Sequence, residues 1–382
     1  MPHNRAVALE FTAAVKRIPV YPAAAGYAQS GPLVRLASNE SPYPPLAEVI
    51  AAASAALEHA NRYPDPASVK LRAALADRYG VAAERIAVGN GSCDILLASG
   101  EALLEPGAEL IYAWPSFSVY PQLEAASGAR GIRVPLDSRE CLDLDAMAVE
   151  VTVATRLVIV CNPNNPTSTA IGLEQIAAFV ERVPASVCVL VDEAYCEFNL
   201  LDDPDASIAL LERHPNLVLL RTFSKIYGLC GLRIGYALCG SRDLPDALTQ
   251  LRQPFFLNSA AQAAALEALK HQDEVARRVE RVAVARVQMH DGLTELGLRP
   301  ADSQANFCWF DLGPERDEPG IVEGLAQQGV LVRAGSALGK PGALRVSYGT
   351  PTENARFLGD VAVGDESQAQ RGDGEYRSQS RP

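Results

Sequence analysis

Three short apolar runs constrain this chain more than any other feature in it. "LVIVC" begins at 157, "VCVLV" at 187 and "LVLLR" at 217, each 30 residues after the last. A strand that is apolar at every position is buried on both of its faces. Between the runs lie "LEQIAAFVERV" and "SIALLERH", whose apolar spacing predicts helices. Strands alternating with helices in this way specify a mostly parallel sheet covered on both sides, an α/β fold. The interval is the length of one strand–helix unit and not a sequence repeat. Each run stops in polar residues: "NPNNP", "DEAY" and "TFSK". Ligands of open α/β sheets bind beyond the carboxyl ends of the strands. Three polar clusters on three strand tips therefore converge on one site.

The flanking segments read differently. Residues 1–30 end in "IPVYPAAAGYAQSGP", where proline and glycine crowd, so an arm is expected. "LAEVIAAASAALEHA" at 46–60 predicts an amphipathic helix, and "ASVKLRAALADRYG" predicts a second one closed by Gly80. After residue 254, "AAQAAALEALKHQDEVARRVERVAVARVQMHDGLTELG" predicts one very long helix or two joined ones. "QANFCWFDL", "GVLVRAG" and "ALRVSYG" follow as strands of a small α+β domain. A final helix opens at "TPTE", with Thr350 as N-cap, Pro351 at the first position and Glu353 completing a capping box. The expected division is an arm at 1–30, a large domain at 46–254, a small domain built from 31–45 with 255–363, and a tail at 364–382. The tail has almost nothing to bury and is expected to be disordered.

Net charge is −12 and no block of basic residues occurs, which argues against a nucleic-acid partner. The N-terminus lacks a long apolar core, so neither a leader nor a membrane span is expected, and the eight scattered cysteines fit reduced thiols of a cytoplasmic protein. No histidine or cysteine spacing suits a metal.

Lysine is scarce. Of 34 basic residues only Lys16, Lys70, Lys225, Lys270 and Lys340 are lysines. Lysine condenses with aldehydes and arginine does not. Lys225, just past the third strand, is therefore a candidate for chemistry with a carbonyl. A cofactor with an aldehyde, a cationic ring nitrogen and a phosphate would find the rest nearby. Asp192 ends the second run, where a buried carboxylate would face the ring nitrogen. Asn162 and Tyr195 would reach a phenolic oxygen. Ser224, Arg233 and the "GNGSCD" turn at 89–94, which opens a helix, would take the phosphate. Trp114 and Phe117 offer an aromatic face. Each has a plainer reading. Asp192 is also a plausible cap, Asn162 a turn residue beside Pro163, "GNGS" a tight turn, Trp114, Phe117 and Tyr195 core, and Arg233 half of a surface ion pair.

In order along the chain, "SNESP", "RYPDP", "GNGS", "CNPNNPT", "VDEAY", "RTFSKIYGLCGLRIGY" and "ANF" resemble fold-type-I pyridoxal-phosphate aminotransferases. The resemblance is strongest to the histidinol-phosphate and aromatic (phenylalanine) amino acid group, over roughly residues 18–363. It implies that 46–254 is the cofactor-binding domain, with a seven-stranded type of sheet. It implies that Lys225 holds pyridoxal 5′-phosphate and later moves a proton, and that Asp192 keeps the ring nitrogen protonated. Asn162 and Tyr195 would bond the phenolic oxygen, and Phe117 would stack on the ring. Ser92 and Cys93, by their amides, would bind the phosphate with Ser224 and Arg233. Tyr63 resembles the tyrosine that reaches the phosphate from the neighbouring subunit, which implies a homodimer with shared sites. Arg345 resembles the arginine that pairs with the substrate carboxylate, with Arg333, Asn39 and Tyr21 as substrate neighbours.

The implied activity is amino-group transfer between an aromatic amino acid or histidinol phosphate and a 2-oxo acid, with 2-oxoglutarate and glutamate as the usual pair. A transaminase for a 2-oxo acid of specialised metabolism, or a decarboxylase or lyase on the same fold, is the alternative. "SPYPP" departs from the family's glycine-bearing first motif, in a segment that borders the substrate.

Overall fold

The structure is a computed structural model that describes residues 9–20 and 32–361. Tyr21, most of the proline-rich end of the arm and the tail lie outside the described residues.

Seven strands form the central sheet: β1 (Ile86–Gly89), β2 (Glu109–Trp114), β3 (Arg130–Pro135), β4 (Thr155–Cys161), β5 (Cys188–Asp192), β6 (Leu217–Thr222) and β7 (Gly235–Cys239). Their order is β1-β7-β6-β5-β4-β2-β3. Neighbours from β3 across to β6 run parallel, and β7 is antiparallel to both β6 and β1. The three apolar runs are β4, β5 and β6, side by side in the middle.

Their continuous apolarity has a direct cause. Val158, Val160, Val189, Val191, Leu217 and Leu219 enter one apolar cluster, while Leu157, Ile159, Leu190, Val218 and Leu220 enter the cluster on the opposite face. Helices Val69–Tyr79 and Leu173–Arg182 cover the first face, and helices Ser92–Leu103, Tyr120–Ser127 and Asp243–Leu251 cover the second. Gly80 ends its helix at φ 68. "SIALLERH" is not the expected α-helix. Residues Ala206–Glu212 form a 3-10 helix, and Leu210 and Leu211 still pack on the sheet.

The long helical stretch is two helices, Ser259–Ala268 and Gln272–Glu295. A four-stranded sheet follows, with Phe307–Asp311 and Ala343–Ser347 as its antiparallel centre. "GVLVRAG" is split between two sheets. Val330–Leu331 pairs in parallel with Val34–Arg35, and Arg333–Ala334 pairs with Ala343–Ser347. The capping box is present: Thr350 N donates to Glu353 Oε2 at 2.7 Å and Glu353 N to Thr350 Oγ1 at 3.3 Å, ahead of helix 351–361. Among the described residues no helix is long and apolar enough to cross a membrane.

The register brings the tips of the central strands together. Cys161 stands opposite Asp192, and Asp192 opposite Leu220. The polar loops that follow therefore open into the same space, and the segment after Val34–Arg35 returns across it.

Candidate active site

A cavity of about 370 Å³ lies at these tips. Its walls come from the three loops after β4, β5 and β6, the start of helix Ser92–Leu103, residues 37–40, and the strands that carry Arg333 and Arg345. Of the residues expected from sequence, Ser92, Cys93, Phe117, Asp192, Tyr195, Ser224, Lys225, Arg233, Asn39, Arg333 and Arg345 all line it.

The Lys225 amine donates to the carbonyls of Ser38 at 3.2 Å and Asn39 at 3.1 Å. Burial, then the Arg345 charge, pull its pKa down to about 8. At neutral pH a useful fraction of the amine is therefore a free base. Asp192 is buried, and its carboxylate accepts from Tyr120 Oη at 2.9 Å and Ala194 N at 3.3 Å. Burial lifts its pKa to about 6 against those two bonds. Such a carboxylate is poised to bind a cation that replaces lost water.

The opposite end of the cavity is built for an anion. Arg233 has a left-handed backbone, φ 58, and its Nη1 donates to Cys230 O at 3.0 Å and Ser224 Oγ at 3.4 Å. A strained non-glycine backbone of this kind persists only where its surroundings hold it. Beside it, Gly91 (φ 77) precedes the first turn of helix Ser92–Leu103. A side chain at Gly91 would strike the Arg233 guanidinium, and one at Gly235 would strike the backbone of Ser92. The two glycines let guanidinium, helix amides and strand close on one small volume, where the helix end favours negative charge.

The small sheet supplies two further cations. Arg333 and Arg345 stand directly opposite each other on paired strands, and both are buried. Like charges placed so repel, and an anion between them relieves the repulsion. Arg345 Nη1 donates to Asn165 Oδ1 at 2.7 Å and Nη2 to Ala37 O at 2.6 Å. The Tyr195 hydroxyl accepts from Asn39 Nδ2 at 3.0 Å, and burial pushes its pKa up, so it stays protonated.

Three residues named from the sequence stand off the cavity wall. Asn162 does not line the cavity: its amide exchanges two hydrogen bonds with the Ile171 backbone, at 3.0 and 2.9 Å. It is the turn residue of the plainer reading. Asn165, three positions on in the same loop, faces the cavity instead. Trp114 lies outside, under Gly339 and beside the Arg133 guanidinium. Tyr63, expected at a neighbouring subunit's site, is not on the wall of its own chain's cavity. It is 81% exposed and stacks on Phe255, ring centroids 4.4 Å apart. Sequence reasoning missed Tyr120, Asn165, Ser38 and Glu40. The last three sit inside the motifs quoted above, and Tyr120 closes the aromatic stretch "YAWPSFSVY" that carries Trp114 and Phe117. Among the described residues no group of histidines, cysteines and carboxylates could hold a metal.

Comparison with known proteins agrees with this geometry. A family model described as aminotransferase class I and II matches residues 32–361. An aromatic amino acid aminotransferase of Cutibacterium acnes is 40% identical over 344 residues, 90% of this chain and 95% of that protein. A histidinol-phosphate aminotransferase 2 of Ralstonia nicotianae is 42% identical over 327 residues, 85% of this chain and 87% of that protein. The solved histidinol-phosphate aminotransferase of Sinorhizobium meliloti, in complex with pyridoxal-5′-phosphate, has a TM-score of 0.81 and 27% identity, covering 93% of this chain and 97% of that one. The chain belongs to the aminotransferase class I and II family and has its fold-type-I architecture.

Proposed function

We propose that this aminotransferase binds pyridoxal 5′-phosphate in the cavity and transfers an amino group between an aromatic amino acid or histidinol phosphate and a 2-oxo acid. Glutamate and 2-oxoglutarate form the second pair in this reading. The observation that carries it is one cavity with a half-buried lysine amine, a buried carboxylate, and a cradle of guanidinium and helix amides that a side chain at Gly91 or Gly235 would fill. That donor set matches an aldehyde, a cationic ring nitrogen and a phosphate.

The cofactor, when bound, supplies an electron sink for the bond broken at the substrate α-carbon. The rest falls to the chain. Asp192 accepts from the ring nitrogen and, by its charge, keeps the proton there. Phe117 offers its face to the ring. Ser92 and Cys93, through backbone N–H groups, and Ser224 and Arg233, through side chains, hold the phosphate. Tyr195 accepts from Asn39, which leaves its own proton to donate to the phenolic oxygen. Asn165 takes the part that Asn162 was expected to play beside it. Arg345, with Arg333 opposite, receives the substrate's anionic group in a two-pronged fork. Lys225, part of whose amine is a free base near neutral pH, would move a proton between the substrate α-carbon and the cofactor carbon.

Tyr63 fits a second copy of the chain, whose cavity it would complete; the exposed Tyr63–Phe255 pair supports this. The division into a large domain, 46–254, and a small one, 31–45 with 255–363, belongs to the same reading.

The test is a half-reaction. The purified chain is loaded with pyridoxal phosphate and given one amino donor at a time: histidinol phosphate, phenylalanine, tyrosine, arginine. Conversion of the cofactor absorbance to the pyridoxamine form, with release of the matching carbonyl product, is expected for the first three. Release of carbon dioxide or ammonia instead would overturn the reading.

A further inference from the structure

Asn39 is held by more bonds than a residue that merely borders a substrate requires. It is 1% exposed and its backbone is left-handed, φ 53. Asparagine tolerates that conformation better than most residues but does not prefer it, so something holds it there. Ser347 fixes it from the side. Asn39 N donates to Ser347 Oγ at 2.8 Å, and Ser347 Oγ donates to Asn39 Oδ1 at 3.1 Å. A hydroxyl can do both at once, and no apolar side chain can do either. Asn306 fixes it from the other end, its Nδ2 donating to Asn39 O at 3.2 Å. The Asn306 Oδ1 is buried with no partner among the described residues. A buried amide kept with one end unsatisfied is costly and calls for a reason.

The reason lies on the far side of Asn39. Its carbonyl is the one that accepts from Lys225 Nζ, and its Nδ2 is the one that donates to Tyr195. Ser347 stands two residues after Arg345 on the same strand, so their side chains share a face. Asn306 directly precedes the paired strand, where Phe307 stands opposite Ser347. A continuous path therefore runs from the Arg345 strand through Ser347 and Asn39 to Lys225 and Tyr195.

We propose that Ser347 and Asn306 are positioning residues for the transamination. They clamp the Asn39 backbone so that its carbonyl rests the Lys225 amine and its amide orients the Tyr195 hydroxyl. The inference rests on the reading of Lys225 as the reactive amine.

Several charged or titratable groups face that amine. Arg345 comes from the small sheet, Cys93 from the helix start and Cys230 from the loop after β6. Glu40 comes from beside Asn39, and Asp192 from the tip of β5; the Tyr195 ring centroid is 5.6 Å away. Burial and Arg345 disfavour the ammonium form. The two carbonyls favour it, so losing one releases the neutral amine at lower pH.

The experiment uses full-length Ser347→Ala, Asn306→Ala and Ser347→Thr. Without added cofactor, the rate at which trinitrobenzenesulfonate labels Lys225 is followed against pH and located by peptide mass. In both alanine variants the rate on the acid side of the profile rises about threefold or more, as expected for a weakened bond to a charged group. Ser347→Thr keeps the hydroxyl and the parent profile. With pyridoxal phosphate bound, kcat falls in the alanine variants while KM for the amino donor changes by less than about twofold, because the clamp acts on the amine and not on binding. Parent-like labelling in both alanine variants overturns the proposal. So does a Ser347→Thr profile that matches Ser347→Ala, which would mark packing and not the hydroxyl. If Ser347→Ala does not fold, Asn306→Ala decides the question alone. Labelling needs no cofactor, so failure here is distinguishable from failure of the cofactor reading.

Discussion

The Tyr120 hydroxyl bonds Asp192 and Cys161, and Asp192 alone among the proposed cofactor residues, so Tyr120→Phe removes one bond to that carboxylate. The hydroxyl donates to Asp192 Oδ2 at 2.9 Å, and both side chains are buried. Phenylalanine keeps the ring and its edge contacts with Phe117 and Tyr112, whose centroids lie 5.7 and 5.8 Å away. The bond to Asp192 is lost, and with it the interaction with the Cys161 thiol. A hydrogen bond to a charged group contributes about 1.5–3 kcal/mol, so its loss moves the carboxyl's ionisation roughly tenfold or more towards the neutral form. With the parent titrating at about 6, about nine in ten Asp192 carboxyls are ionised at pH 7, and about half or fewer in the variant. The ionised form is the one that binds a cationic ring nitrogen. Affinity for pyridoxal phosphate at pH 7 therefore falls about two- to tenfold, and the acid limb of the affinity profile moves up by about one pH unit or more. The assay is the Kd for the cofactor against pH, by fluorescence quenching, for parent and variant side by side. Titration of the cofactor itself cancels in the ratio. Two profiles that superimpose would refute the reasoning, because Tyr120 would then contribute nothing to the charge on Asp192.

Three further outcomes follow from the same geometry. Gly91→Ala places a methyl group against the Arg233 guanidinium on a backbone at φ 77, and should weaken cofactor binding about tenfold or more with the fold intact, read by equilibrium dialysis against circular dichroism. Mixing inactive Lys225→Ala with inactive Tyr63→Ala should restore about a quarter of parental activity if each site borrows Tyr63 from a second copy, and none if it does not. In the cofactor-free chain, burial raises Asp192 from the ordinary 3.8 to about 6. The folded state then binds more protons than the unfolded state between those values, and stability is lost as pH rises through the window. Asp192→Asn removes that loss and should raise cofactor-free stability at neutral pH by about 2–3 kcal/mol in urea denaturation, with the advantage vanishing below about pH 4.

Much of this was legible in one dimension because the signals are local. A strand buried on both faces must be apolar throughout, and three such strands at equal spacing dictate a parallel sheet and a site at its tips. Lys225, Asp192, Ser224 and Arg233 stand at or just beyond those tips, so their meeting follows from the strands that carry them. The "GNGS" turn is legible for the same reason, since a helix start with no side chain in the way offers its amides to an anion wherever it occurs.

What the tertiary structure decided involves direction and distance along the chain. "NPNNP" contains three asparagines, and no pattern tells which amide turns inward; the answer, Asn165, depends on Arg345, 180 residues away, offering it a donor. Tyr120 reaches Asp192 across 72 residues, and Ser347 reaches Asn39 across 308. "SIALLERH" has helical spacing, yet it forms a 3-10 helix whose buried leucines meet the sheet. Residue type and local period declare which chemistry a chain carries. Which neighbour tunes each group is set by packing between segments far apart in sequence, because a hydrogen bond depends on where two atoms end up in space and on nothing that either segment shows alone.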